Sequence, residues 1–230
     1  MGSEEQKQAA ARYAAFMVQD GTTVGLGSGT TSELAVHVLG ERHREGLRFT
    51  GIATSKSTEA IARSYGIPLK RLDEHILPDL YIDGADEVDP RLNLVKGRGG
   101  ALLREKLVAS ASTQFVVIVD GGKLVQRLGE KAPIPVEVVQ FGWLTTKHHL
   151  EEMGFHAVLR HGERERPYLT SNHNFILDCQ ASAEMDLSNS ETVKAIKLQT
   201  GVVEHGLFLG MAASVVVGKD DGTAEVLFPV

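Results

Sequence analysis

Apolar and polar positions follow two alternating rhythms along the first half of the chain. Residues 4–19 are alanine-rich with apolar positions at helical spacing, and Asp20-Gly21 closes that helix. TTVGLG (22–27) is a short β-rich run leading into glycines, and from Thr31 to about Arg44 the pattern is helical again. LRFTGIAT (47–54) reads as a strand, 56–65 as a helix stopped by Gly66 and Pro68, and DLYID (79–83) as a third, buried strand. RGGALLREKLVASAS (98–112) reads as a glycine-opened helix. FVVIVD (115–120), an apolar run rich in β-branched residues, is the clearest strand of all. Strands alternating with helices imply right-handed βαβ crossovers and a largely parallel sheet covered on both faces.

The rhythm changes after about residue 128. KAPIPVEVV brings prolines; then come a helical segment (142–153), a strand (156–160), a polar loop, a strand (FILDC, 175–179) and a helix (189–198). GVVEHGLF and SVVVG follow. The expected fold is therefore α/β: an open, mostly parallel sheet with helices on both faces, formed by 1–128 and 206–230. A smaller inserted α+β unit is expected at 129–205.

Composition narrows the class without naming a function. A chain of 230 residues with 42% hydrophobic and 23% charged residues can bury a sizeable core. A net charge of −6 argues against nucleic acid as a partner. The single cysteine, Cys179, excludes an internal disulfide framework and fits a reducing, cytoplasmic setting. MGSEEQKQAAARYAAF lacks an apolar signal core, and no run of ~18 apolar residues predicts a membrane span.

The candidate chemistry collects where strands are expected to end. VGLGSGTTSEL (24–34) is strand, glycine turn and helix start. Gly25, Gly27 and Gly29 would admit a ligand close to the backbone, and Ser28, Gly29, Thr30 and Thr31 would meet an anion at the helix N-terminus. The loop is neither a dinucleotide fingerprint, since Thr30 stands at the last glycine position, nor a P-loop, since Gly-Lys-Ser/Thr is absent. A phosphate loop without a nucleotide signature remains, beside the plainer reading of Ser and Thr capping a helix. DLYIDGADEVDP (79–90) then runs an apolar beat into Asp83, Asp86, Glu87 and Asp89. Like charges so close are tolerated if solvated, if they hold a metal, or if they move protons. LVKGRGGALLREKL sets Lys96 before a glycine turn and Glu105 in the following helix, and Asp120 and Lys123 close the strongest strand. Ligands of open α/β sheets bind at that strand-end edge.

Other residues read as structural. Glu105 between Arg104 and Lys106, and Lys123, would each alone pass for surface charges. Glu87 and Asp89 read as surface acids, His173 as exposed, Cys179 as a buried small hydrophobe, and Phe141 and Trp143 as packing. The nine histidines lack metal spacing, with His148 and His149 adjacent, so no zinc site is expected.

Taken together, VGLGSGTT, YIDGADEVD, LVKGRGGALLREK, VVIVDGGK, APIPVEVV and GVVEHGLF resemble the type A ribose-5-phosphate isomerases, in that family's order and over nearly the whole chain. The resemblance implies interconversion of ribose 5-phosphate and ribulose 5-phosphate without metal or organic cofactor. It also implies a ferredoxin-like small domain and a homodimer or homotetramer. It implies Glu105 as general base, with Asp83, Asp86 and Lys96 also catalytic. Substrate contacts are implied at the phosphate loop (Ser28, Gly29, Thr30, Thr31), at Gly84 and Ala85, at Gly97, Arg98 and Gly99, and at Lys123 and Lys7. Arg98 departs from the glycine usual at that turn, which matters if positive φ is required there. The rivals are a related phosphosugar isomerase, deaminase or lactonase, and a sugar-phosphate sensor. The sensor would need a DNA-binding module, for which residues 1–20 are too short and acidic.

Overall fold

A computed structural model describes residues 3–74 and 76–229. In chain order the elements are α1 (Glu4–Phe16), β1 (Thr23–Leu26), α2 (Thr30–Arg44), β2 (Thr50–Ala53), α3 (Lys56–Ser64), β3 (Leu80–Asp83), β4 (Glu87–Val88) and β5 (Leu94–Val95). They continue with α4 (Leu102–Ala111), β6 (Gln114–Asp120), β7 (Ile134–Val138), α5 (Trp143–Glu152), β8 (Phe155–Leu159) and β9 (Phe175–Ala181). The last five are α6 (Ser190–Lys197), β10 (Val202–His205), β11 (Leu207–Phe208), β12 (Ser214–Gly218) and β13 (Ala224–Leu227). By its contacts the chain divides into two compact units. The first comprises Met1–Ala85, Arg104–Leu124 and Gly210–Val230; the second comprises Asp86–Leu103 and Val125–Leu209.

The first unit is built on a six-stranded sheet ordered β13-β12-β6-β3-β1-β2. Five strands run parallel and β13 is antiparallel at the edge. The chain leaves β1 toward β2 and then returns past it to β3 on the other side. In open α/β sheets the crevice at such a reversal, above the strand C-termini, is where ligands bind. Here that is the loop after β1 and the end of β3. The alanines of α1 explain how it lies so close: Ala10, Ala11, Ala14 and Ala15 are buried in one core with Val36, Leu39, Val116 and Val216. Ser3 caps α1 by accepting from the Gln6 amide (3.1 Å).

The second unit carries β7-α5-β8-β9-α6-β10 as a four-stranded antiparallel sheet ordered β10-β7-β9-β8, which is the ferredoxin-like order. A three-stranded sheet, β11-β5-β4, belongs to the same unit. Cys179 is buried among Leu150, Phe155, Leu177 and Ile196, and burial pushes its thiol up to about 12. Because the folded chain disfavours the thiolate, this contribution is present below the ordinary thiol range and is lost as pH rises from there toward 12. Cys179 is therefore expected to resist iodoacetamide at pH 8 in the native protein and to label only on unfolding. Rapid native labelling at this pH would contradict the packing.

Two expectations are corrected. Glu87 and Asp89 are not surface acids but are 0% and 6% exposed. The Glu87 carboxylate accepts from the backbone amides of Gly129, Lys131 and Ala132, at 2.6, 2.5 and 2.7 Å. Asp89 accepts from the Arg91 and Asn93 amides and the Asn93 side chain. Both acids are buried because each replaces water with several fixed donors. Phe141 is not a packing residue: it is 95% exposed, whereas Trp143 meets Phe175 edge to face at 6.2 Å. Among the described residues no helix is long and apolar enough to cross a membrane.

Candidate active site

In the first unit the chemistry gathers at the β1/β3 reversal. Asp83, the last residue of β3, is fully buried. Its Oδ1 accepts from the Ser28 amide (3.0 Å), the Ser32 hydroxyl (2.7 Å) and its neighbour's amide, Gly84 N (2.8 Å). Its Oδ2 accepts from the Tyr81 hydroxyl. Four donors fix this carboxylate more tightly than packing alone could. The glycines of VGLG answer to the same arrangement. A Cβ on Gly27 would overlap the Asp83 side chain, and one on Gly25 would come within 2.7 Å of Tyr81 and Val108. The space beside Gly25 and Gly27 therefore belongs to the protein's own Tyr81 and Asp83. Gly29 alone of the three faces open space, with φ +90°.

Gly29 is the N-cap of α2 and supplies no side chain to the first-turn amides. Thr30 is exposed and Thr31 half-buried there. The orphan amides of that turn and the helix dipole make an anion seat. Ser28 contributes less freely than expected: its amide is held by Asp83 and its hydroxyl pairs with Thr54 at 2.7 Å.

Glu105 lies in the first turn of α4 and is 4% exposed. Its relation to Asp83 shows through Tyr81. Burial first, then the charge of Asp83, then that of Glu105, push the Tyr81 phenol well above its ordinary value. Tyr81 thus stays protonated and donates to Asp83, stacked on Phe115 at 4.7 Å. At the end of β6 the Asp120 carboxylate caps the turn carrying Lys123 by accepting from Gly122 N (2.9 Å). Gln6 ties the first turn of α1, and with it Lys7, to this corner by accepting from Gly121 N (3.1 Å). The Lys7 ammonium lies 3.7 Å from Glu4.

A second cluster lies wholly in the second unit. Lys96 is 3% exposed, with its ammonium 5.7 Å from the centre of the Phe208 ring. Its amide donates to Gly206 O (2.8 Å), and a Cβ on Gly206 would overlap the Lys96 carbonyl. The GVVEHGLF motif thereby seats Lys96. The Asp86 carboxylate accepts from the Arg98 amide (3.0 Å). Positive φ falls at Gly97 (107°) and Gly100 (79°), and not at Arg98, which is exposed. An arginine therefore costs the turn nothing. Gly99 is likewise exposed, and Gly84 and Ala85 are half-buried.

Sequence reasoning missed Tyr81, Ser32 and Gln6. Tyr81 and Ser32 stand at spacings that a strand alternation and a helix first turn would have offered. Gln6 acts through a partner far along the chain.

The profile described as "Ribose 5-phosphate isomerase A (phosphoriboisomerase A)" matches residues 50–222. The chain is 50% identical to a ribose-5-phosphate isomerase A of Thermomicrobium roseum over 223 residues, 96% of this chain and 93% of that protein. The solved ribose 5-phosphate isomerase A of Methanocaldococcus jannaschii superposes with a TM-score of 0.90 at 41% identity, covering 96% and 97% of the two chains. A D-ribose-5-phosphate isomerase solved with phospho-erythronic acid superposes with a TM-score of 0.94 at 35% identity, covering 99% and 100%.

Proposed function

The chain belongs to the ribose 5-phosphate isomerase A family, which interconverts D-ribose 5-phosphate and D-ribulose 5-phosphate in the pentose phosphate pathway, and from that premise we propose how its residues divide the work. Glu105 removes the proton from carbon 2 of the open-chain aldose and returns it to carbon 1. One carboxylate both takes and gives the proton, which calls for a single, well-placed group. Asp83 exchanges the proton between the two substrate oxygens, its carboxylate held in place by Ser28, Ser32, Gly84 and Tyr81. Asp86 orients the hydroxyls, beside contacts at Gly84 and Ala85. Lys96 and amides of the Gly97–Gly99 turn take the charge that develops on the enediolate, where fixed donors act most strongly.

The phosphate is assigned to the open first turn of α2 at Ser28–Thr31, with Lys123 and Lys7 adding positive charge. Phosphate binding holds the reacting carbons in register. Phospho-erythronic acid fits the same assignment, because its carboxylate carries charge where the enediolate does. The observation that carries the reading is the assembly of Asp83, Tyr81 and Glu105 at the sheet reversal.

Formation of ribulose 5-phosphate from ribose 5-phosphate by the purified protein, with a chelator present, tests it. Turnover of other phosphosugars in place of ribose 5-phosphate would overturn it. Thr31→Ala is expected to raise KM by ~10-fold or more through loss of a hydrogen bond to a charged group, with kcat nearly unchanged. An unaltered KM would remove the α2 turn from the phosphate site. Cytoplasmic localisation and a homodimeric or homotetrameric state are part of the same reading, and light scattering on the purified protein tests the assembly.

A further inference from the structure

The Lys96–Gly100 turn is held by one arginine outside the residues assigned above. Arg160 follows the end of β8 and is anchored there by Asp178 of β9. Its Nε donates to Asp178 Oδ2 at 2.9 Å and its Nη2 donates to Oδ1. The remaining arm, Nη1, donates to the carbonyls of both Gly97 and Arg98, each at 3.0 Å. The Tyr168 hydroxyl takes the next carbonyl, Gly99 O, at 3.3 Å. The guanidinium fork thus ties two strands of the small sheet to two successive peptide planes of the turn.

Peptide planarity turns this into a statement about donors. In a trans peptide the N–H points opposite to the C=O of the same plane. Two carbonyls drawn to one guanidinium therefore send the N–H groups of Arg98 and Gly99 the other way. The first of these is the amide that the Asp86 carboxylate accepts from, at 3.0 Å. The second, Gly99 N–H, is turned to the same side by the same constraint.

We propose that Arg160, locked by Asp178, is the positioning residue that aims the Gly99 amide at the substrate oxygen and sets Asp86 against it. The proposal rests on the reading that the Gly97–Gly99 turn serves the enediolate. A lysine could not replace the arginine, since it lacks a fork able to hold one carboxylate and two carbonyls at once. Arg160 touches no reacting atom; it acts through the peptide planes it holds.

The test compares Arg160→Met, Arg160→Lys, Asp178→Asn and Glu105→Gln. Donors turned off target weaken the transition state more than the bound sugar, so Arg160→Met should lower kcat by about 10–10²-fold with KM within about threefold. Affinity for phospho-erythronic acid should fall in step with kcat, while affinity for inorganic phosphate stays unchanged. Arg160→Lys should recover only a small part of the loss. If Arg160→Met fails to fold, Asp178→Asn gives the readout through a loosened guanidinium, with kcat down about tenfold. A folded Arg160→Met with kcat within threefold of the parent, while Glu105→Gln is inactive, overturns the proposal alone. So does a loss in which phosphate affinity and thermal stability fall together with kcat. Full turnover by Glu105→Gln would instead overturn the underlying assignment of the site.

Discussion

Glu105→Gln is expected to lower kcat by ~10²–10⁴-fold while the protein folds and binds phosphosugar as before. The substitution keeps the shape of the side chain and removes only its capacity to take a proton. Its site tolerates the change in packing, because glutamine fills the same 4%-exposed position in the first turn of α4. Substrate phosphate is assigned to another part of the first unit, the N-terminus of α2, so KM should move little. The mutant should also separate two steps. Exchange of the carbon-bound proton with solvent, followed with deuterated water, should fall with kcat if Glu105 is the base. Near-normal turnover would remove Glu105 from that role and shift it to another group beside Tyr81, with Asp83 first in line through the hydroxyl contact they share.

The parts of this site that were legible in the sequence are those written as local pattern. Apolar runs ending in glycines or acids marked β1, β3 and β6, and their order along the chain foretold a mostly parallel sheet. The ferredoxin-like order of the second unit followed from the resemblance. What could not be read had no local period. β4, β5 and β11 are two residues each, too short to show an alternation. β13 closes the sheet antiparallel after a turn at 219–223 that carries no strong apolar run. The glycines of VGLG were read as making room for a ligand. Gly25 and Gly27 instead make room for Tyr81 and Asp83 arriving from the next strand, and no single-strand reading can see a neighbour's side chain.

Buried acids show the same limit more sharply. Asp89 could have been caught: DPRLN places proline after an aspartate whose carboxylate accepts amides two and four residues on, a local turn signature. Glu87 could not, because its three donors lie at 129–132, more than 40 residues away in sequence. Composition treats an isolated glutamate as solvated, and only tertiary structure brings the amides to it. The same holds for Arg160, whose carbonyl partners are about 60 residues distant.

Glu87→Ala should therefore destabilise the fold strongly. Three charge-assisted hydrogen bonds are lost together, each worth about 1.5–3 kcal/mol in a dry setting. The amides of Gly129, Lys131 and Ala132 are only part-buried, so water recovers some of that energy, and a net loss of about 3–4 kcal/mol is expected. Glu87→Gln should cost less. Its carbonyl can still accept from Lys131 and Ala132, which share Oε1, but its amide would face the Gly129 N–H donor to donor. Chemical denaturation of the two variants should place alanine below glutamine and both below the parent. The isomerase rate per folded molecule should change far less than in Glu105→Gln, because Glu87 holds the 129–132 backbone and has no assigned contact with substrate. A stable Glu87→Ala protein would mean that these amides are satisfied without the carboxylate.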